Sequence, residues 1–270
     1  MNIFHTFNPD PIVFQIGNIT IYWYGLLIAI GAFLAYMVIF YISKKILKDS
    51  NLFSQIENLI IYLIAFGLIG ARLYHVLTHL SYYFKKPLEI FYIWQGGLGI
   101  FGAILAGILV LFFFNKKHPV LKNKFSSFLR ITDILAPGVI LAQAIGRWGN
   151  FFNQELFGFP VSWGIPISSF KRPDIFASFK YFHPTFLYES IWNLLVFIFL
   201  ILMVHRFIKK RPGFITGFYL ILYPLGRFTI EFIRVDKQPQ ILGLRTAQVF
   251  SIFLILIGCF LLFKSKKIKF

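Results

Sequence analysis

The chain is poor in cysteine and in acid. Of its 270 residues one is cysteine, Cys259, and 10 are Asp or Glu, against 27 Lys and Arg. A single cysteine excludes an internal disulfide and a zinc cluster built from thiolates. Charged residues make up 14%, well below the roughly 25% of a soluble domain. The first 20 residues, MNIFHTFNPDPIVFQIGNIT, lack a basic start and a small-residue cleavage site, so no cleavable signal peptide is expected and the first apolar run serves as its own insertion signal. No internal repeat is visible, which disfavours transporter architectures built from repeats. What the chain has instead is apolar mass: 58% hydrophobic and 20% aromatic residues.

That mass is arranged in seven runs, each near the roughly 20 residues that a bilayer core requires. They are Ile19–Ile42, Leu59–Leu77, Ile90–Phe114, Phe128–Gly146, Phe186–Val204, Gly213–Thr229 and Ala247–Phe263. Such runs are too long for barrel strands, and lipid demands closed hydrogen bonding. The expected fold is therefore all-α: a polytopic membrane protein of seven transmembrane helices in one domain spanning residues 1–270. One long connection, 151–184, holds Gly158, Pro160, Gly164, Pro166 and Pro173, and is expected to be irregular but structured.

Charge sets the expected orientation. Alternate connections carry Lys44, Lys45 and Lys48, then Lys116, Lys117, Lys122, Lys124 and Arg130, then Arg206, Lys209, Lys210 and Arg211, and finally Lys264, Lys266, Lys267 and Lys269. By the positive-inside rule these face the cytoplasm, with the N-terminus outside and the C-terminus inside. The net charge of +17 then reads as loops resting on anionic membrane lipids. Nucleic-acid binding is not expected, because the basic residues are divided among short loops and no reader motif is present.

On this topology the unusual polar residues gather at the outward helix ends. Tyr24 lies early in the first helix, Arg72 late in the second and Gln95 at the start of the third. Arg147 ends the fourth, His183 precedes the fifth, Arg227 ends the sixth and Arg245 precedes the seventh. Asp133, close to Arg130, is the inward exception. A single arginine near a helix end can snorkel to the headgroups. Arg72, Arg147 and Arg227 together point further. An arginine at mid-membrane costs roughly 2.5–3.5 kcal/mol, and three facing one leaflet repel each other unless an anion joins them. Glu231 is a partial answer: it stands four residues after Arg227 and three before Arg234, both helical neighbour spacings, and that trio reads as structural.

The segment AIGRWGNFFNQE, Ala144–Glu155, has its own geometry. Continued as a helix, it places Gln143, Arg147, Asn150 and Gln154 on one face. Gly146 and Gly149 flank Arg147 and admit close approach of another backbone or a ligand. A guanidinium there holds a phosphate through two parallel bonds, which an ammonium cannot do. A phosphate-bearing lipid headgroup is the anion found at that depth. Other features carry less. His75 and His79 in HVLTH have i, i+4 spacing, but Val76 stands where a zinc protease needs glutamate, and no metal or other cofactor is expected. The glycines of QGGLGIFGA follow no strand and read as close helix packing rather than a nucleotide loop.

Taken together these residues resemble the prolipoprotein diacylglyceryl transferase family, from about Tyr22 to Gln248. GRWGNFFNQELFG at Gly146–Gly158 is the most specific match, to the family signature around G-R-x-G-N-F-x-N-x-E. WYGL at Trp23–Leu26, ARLYHV at Ala71–Val76, WQGGLGI at Trp94–Ile100, HPTFLYE at His183–Glu189 and GRFTIEFIR at Gly226–Arg234 support it in order. The resemblance implies a bacterial, multi-pass plasma-membrane enzyme with its site toward the outer leaflet. It implies transfer of the diacylglyceryl group of phosphatidylglycerol to the lipobox cysteine of a prolipoprotein signal peptide, with release of glycerol phosphate. Arg147, Arg227, Glu155 and Asn150 take the catalytic positions, with Asn150 and Glu155 orienting Arg147. Arg147 also binds the phosphate, and Tyr24, Arg72, His183 and Gly158 take substrate-binding positions. A transporter would need a polar path to the cytoplasmic side, which the inner helix halves lack. A scaffold gives no reason for the arginines. Another headgroup enzyme would share them but needs no access for a peptide.

Two positions depart from the family pattern. Members of the family commonly carry a histidine in the third helix as the base for the cysteine, and here that position is Phe101. Phe186 stands where glutamine is common. The base is then His183 or Glu155, or none is needed, because a thiol of pKa near 8.5 is acidified by nearby arginines. Phe101→His is expected to leave lipid transfer to a lipobox peptide unchanged or mildly raised. A strong loss would show that the site has packed around the phenylalanine.

Overall fold

The computed structural model describes residues 9–17, 19–93, 96–120 and 123–265. Gln95 and Trp94, together with Lys122, Lys266, Lys267 and Lys269 of the charge pattern, lie outside the described residues. Seven long helices follow the apolar runs: α1 Trp23–Phe40, α2 Ser50–Thr78, α3 Ile100–Lys117, α4 Lys124–Phe152, α5 Thr185–Phe207, α6 Phe214–Ile230 and α7 Thr246–Lys264. With the π-helical turn Tyr41–Ile46 counted into α1, six of them are long and apolar enough to cross a membrane. α6, at 17 residues, is slightly shorter. The all-α expectation needs one correction. Six short strands form three antiparallel hairpins among the described residues: β1 Ile12–Ile16 with β2 Ile19–Tyr22, β3 Pro160–Pro166 with β4 Tyr181–Phe182, and β5 Gln240–Ile241 with β6 Leu244–Arg245. β2 occupies the start of the run expected to open the first helix.

The chain folds as two compact units. One holds Ser43–Ile131, and the other holds the segment up to Ile42 together with Thr132 onward. In the Ser43–Ile131 unit, Asp49 caps α2 by accepting from the Leu52 N–H at 2.9 Å. α2 and α3 meet through glycines. A Cβ on Gly70 would stand 2.6 Å from the Gly102 carbonyl oxygen, and one on Gly102 would stand 2.1 Å from the Gly70 oxygen. Nothing larger than hydrogen fits there, as in small-residue contacts between membrane helices. The outward side of α3 is apolar and exposed (Ile104, Leu105, Ile108, Leu109, Phe112, Phe113), a face suited to lipid. Phe101, in its first turn, is half exposed with its ring 5.9 Å from Tyr74.

The third helix begins ten residues later than the apolar run suggests, at Ile100 rather than Ile90. Arg72 supplies the reason. Its Nε donates to the Ile90 carbonyl at 2.8 Å, its Nη1 to those of Gly96 at 2.8 Å and Gly97 at 3.1 Å, and its Nη2 to that of Glu89. Those four carbonyls turn toward one guanidinium instead of along a helix axis. Gly96 and Gly97 make the turn possible, with φ of +91° and +71°. Arg72, expected to contact substrate, is buried and spends its donors on this backbone, with its guanidinium 5.3 Å over the Tyr83 ring. It is a staple for the α2–α3 connection.

In the other unit, α1 crosses α4 closely: a Cβ on Gly138 would stand 2.9 Å from the Ala35 oxygen. α6 and α7 meet similarly at Gly217 and Gly258. The start of α6 is fixed from another helix. Asp133 of α4 is fully buried and accepts from the Gly213 N–H at 2.7 Å, the Thr216 N–H at 2.8 Å and the Thr216 hydroxyl at 2.8 Å. Gly213 holds φ at +83° to present its N–H. A carboxylate at a helix N-terminus satisfies otherwise orphaned donors and opposes the positive end of the helix dipole. Asp133→Ala therefore strands buried donors. Its expected cost is about 2 kcal/mol or more, read as a lowered thermal midpoint in detergent.

Candidate functional site

α4 does not continue to Gln154 as the one-face reading requires. It ends at Phe152, and Gln154 and Leu156 hold φ of +49° and +58° on either side of Glu155. Gln154 instead turns into the outer connection. It donates to the Pro9 carbonyl at 3.0 Å and accepts from the Ser168 N–H at 2.7 Å. The segment Phe157–Phe159 is then threaded between two others. The Gly158 N–H donates to His183 O at 3.1 Å, Phe159 N–H to Ile233 O at 2.9 Å, and Val235 N–H to Phe157 O at 3.3 Å. A Cβ on Gly158 would lie 2.8 Å from both the His183 Cβ and the Ile233 oxygen, so glycine is what permits the crossing. Below this lies an aromatic core: Phe151, Phe157, Phe182 and Phe186, with Trp148 against it. Phe186 is buried at 4.8 Å from Phe151 and 5.3 Å from Trp148, so the phenylalanine at this position serves packing.

This scaffold joins three helix ends at one carboxylate, and a fourth through its neighbour Glu231. Glu189, in the first turns of α5, is 4% exposed. Its Oε2 meets Arg147 Nη2 from α4 at 2.8 Å, and its Oε1 meets Arg227 Nη1 from α6 at 3.1 Å. Arg227 Nη2 pairs with Glu231 at 2.6 Å, and Arg245, at the start of α7, pairs through Nε with the same Glu231 at 3.0 Å. Arg234 Nη1 lies 3.9 Å from Glu189 and 4.0 Å from Glu231, while its Nε donates to Asp236 at 2.7 Å. Arg227, Glu231 and Arg234 thus meet at the helical spacings read from the sequence, within a larger set. Four arginines (147, 227, 234, 245) face three carboxylates (189, 231, 236), which leaves the ion-paired set one positive charge in excess. Asp236, in the loop after α6, has its pKa lowered: burial opposes ionisation, but the hydrogen bond and charge of Arg234 outweigh it.

The remaining candidates surround Arg147. Tyr24 of α1 lies flat against Gly149, where a Cβ would come within 2.4 Å of its ring, and its hydroxyl interacts with both Arg147 and Glu155. Gly149 thus admits a neighbour as its position suggests, whereas Gly146 has open space before it. Tyr223 of α6 also interacts with Arg147. One turn before Arg147, Gln143 donates to the Tyr219 hydroxyl at 3.2 Å. Asn150 does not reach for the arginine. Its Nδ2 donates to Glu155 at 2.8 Å, and Asn153 Nδ2 stands at 3.4 Å from the same oxygen. Glu155 is exposed and belongs to these amides, so the residue that orients Arg147 is Glu189. His183 sits in the connection, 2.9 Å from the Tyr188 hydroxyl through Nδ1, and burial lowers its pKa, favouring the neutral ring. Arg72 belongs to the Ser43–Ile131 unit and its fork is occupied there. Among the described residues no three His, Cys, Asp or Glu side chains gather as a metal site.

Comparison with known proteins identifies the family. The family model described as prolipoprotein diacylglyceryl transferase covers residues 11–264. The chain belongs to this family. It is 41% identical over 265 residues to the phosphatidylglycerol–prolipoprotein diacylglyceryl transferase of Parasynechococcus marenigrum, covering 93% of this chain and 92% of the relative. It is 39% identical to that of Halalkalibacterium halodurans over 264 residues, 96% of this chain and 87% of the relative. It is also 39% identical to that of Thermotoga maritima over 260 residues, 94% and 85%. Within this transferase chain, sequence reasoning missed Glu189, Asp236 and Tyr223 as members of the site. For Glu189 a signal existed: it is the only acid in the apolar run from Thr185 to Phe207, as costly there as any arginine. Glu189→Gln removes the shared counter-charge. The expected result is a destabilised protein, by about 3 kcal/mol or more in thermal unfolding, and a large loss of activity in the fraction that still folds.

Proposed function

We propose that this chain transfers the diacylglyceryl group of phosphatidylglycerol to the thiol of a lipobox cysteine in a prolipoprotein signal peptide, releasing glycerol phosphate. The observation that carries this reading is the pairing of Arg147 and Arg227 on Glu189 within a set that keeps one uncompensated positive charge. A phosphodiester carries one negative charge, and two guanidiniums from different helices form a fork matched to its oxygens. The cysteine sulfur attacks the glycerol carbon that bears the phosphate. The S–C bond forms, the C–O bond breaks, and the electron pair leaves with the phosphate oxygen. Charge grows on that oxygen in the transition state, and fixed guanidiniums held by a buried carboxylate stabilise it without reorganising. The thiol proton passes to Glu155, to His183, whose lowered pKa keeps it a neutral acceptor, or to water from a thiol acidified by the arginines. Tyr24 contacts the headgroup beside Arg147.

In this reading seven helices span the membrane, the N-terminus is outside, the lysine-rich connections are in the cytoplasm, and the site faces the outer leaflet. In that setting α6, though short, spans as the partner of α7, and its Arg227 end meets the headgroup layer. The alternating helix ends that meet at Glu189 support one common membrane face. The protein reconstituted in vesicles with acyl-labelled phosphatidylglycerol is expected to label a lipobox peptide. Absence of label, with an active relative run alongside, would sink the proposal. Arg147→Lys is expected to lower that rate by roughly tenfold or more, since the charge stays and the fork is lost. Equal rates would refute the fork.

A further inference from the structure

Beside the arginine set lies a polar cleft that the transfer step leaves unused. It has a volume of about 630 Å³ and is lined by Glu231, Arg234, Asp236, Lys237, Arg245 and Gln248, among others. Its two acids are already engaged. Glu231 pairs with Arg227 and Arg245, and Asp236 accepts from Arg234 at 2.7 Å and from Gln238 at 2.9 Å. Lys237 is exposed and has no carboxylate partner among the described residues. One buried donor also remains open. Gln248 is 3% exposed, and its Oε1 accepts from the Arg245 N–H at 3.0 Å. That bond settles the orientation of the amide, because an N–H can only be met by the oxygen. The Nε2 group is left buried with no hydrogen-bond partner. Arg234, 4% exposed, is different: its Nη1 stands between two carboxylates, 3.9 Å from Glu189 and 4.0 Å from Glu231. A buried donor without an acceptor costs about 1–3 kcal/mol, so such groups call for an explanation.

The geometry points to a subsite for a small phosphate monoester in this cleft, accepting from Gln248 and balanced by Lys237. Resting on the transfer reading above, the monoester is the glycerol phosphate that the reaction releases. The cleft adjoins the same Glu231 that holds Arg227, so a leaving group freed at Arg227 finds the next set of donors one ion pair away. Gln248 sits in the first turn of α7, whose dipole adds to the attraction for an anion. A donor-rich, acid-neutralised cleft selects oxyanions, and the second negative charge of a monoester favours it over the diester donor.

The test uses the full chain. In phosphatidylcholine nanodiscs, binding of sn-glycerol 1-phosphate, inorganic phosphate and glycerophosphoglycerol is measured by calorimetry. In phosphatidylglycerol vesicles, sn-glycerol 1-phosphate is titrated as an inhibitor of transfer. This product is expected to bind best, and to inhibit in a way that added phosphatidylglycerol does not relieve. Gln248→Glu, which keeps the acceptor and turns the donor into an anion, is expected to weaken both by at least tenfold. Lys237→Gln is expected to weaken both several-fold, and it decides the matter if Gln248→Glu fails to fold. Unchanged binding in the folded variants, or none in the unsubstituted protein, overturns the subsite. Equal or tighter binding of inorganic phosphate assigns the cleft to free phosphate and overturns the product reading. Tighter binding of glycerophosphoglycerol, or relief by phosphatidylglycerol, assigns it to the lipid headgroup and does the same. Variant-sensitive binding without any peptide labelling would keep the cleft and reject the transfer reading, whereas labelling without such binding rejects the cleft alone.

Discussion

A carboxylate shared by guanidiniums from two helices is the constraint on which the site depends. Glu189 touches Arg147 and Arg227 at once, and two guanidiniums brought this close together repel unless an anion joins them. Ion pairs of this kind are weak evidence for net stability, because desolvating the charges offsets much of the attraction. What they fix is position. With the carboxylate buried, the guanidiniums cannot drift, and their remaining donors have a defined direction. Glu231 repeats the device one layer away, joining Arg227 to Arg245.

The rest of the unit serves that arrangement. Asp133 pins the start of α6 at one end, and Arg227 is held at the other, so the helix has two polar anchors and an apolar middle. The outer connection runs over the same region. Gln154 ties it to the N-terminal segment, and Gly158 lets Phe157–Phe159 pass between His183 and Ile233. The phenylalanine cluster under it carries the packing. The position of Arg234 follows from this threading, since its backbone bridges Gly158 directly.

Most helices were legible in the sequence because lipid punishes polarity over about 20 residues at a time, and that scale is coarse enough to read. The expected gathering of polar helix ends named Arg147, Arg227 and Arg245, which do join one ion-paired set, but also Arg72, whose donors are spent within the Ser43–Ile131 unit. Three things were not legible. The delayed start of α3 depends on a side chain, Arg72, that captures carbonyls distant in the chain. The break after Phe152 depends on left-handed backbone at Gln154 and Leu156, neither of which is a glycine that would announce it. The pairing partner of Arg147 depends on which helix packs beside it. Sequence adjacency favoured Asn150 and Glu155, whereas the tertiary contact is Glu189.

The two sets of arginines differ in when their partners exist. Arg72 finds every acceptor within the Ser43–Ile131 unit, in carbonyls that follow it closely along the chain. In the order of synthesis, α2 and its following connection satisfy the donors of that guanidinium without help from what comes later in the chain. Arg147 has no such local partner. Its counter-charge arrives only with α5, and Arg227 of α6 meets the same Glu189 as well as Glu231 four residues on. In the order of synthesis, therefore, the guanidinium of Arg147 has no paired carboxylate until α5 brings Glu189.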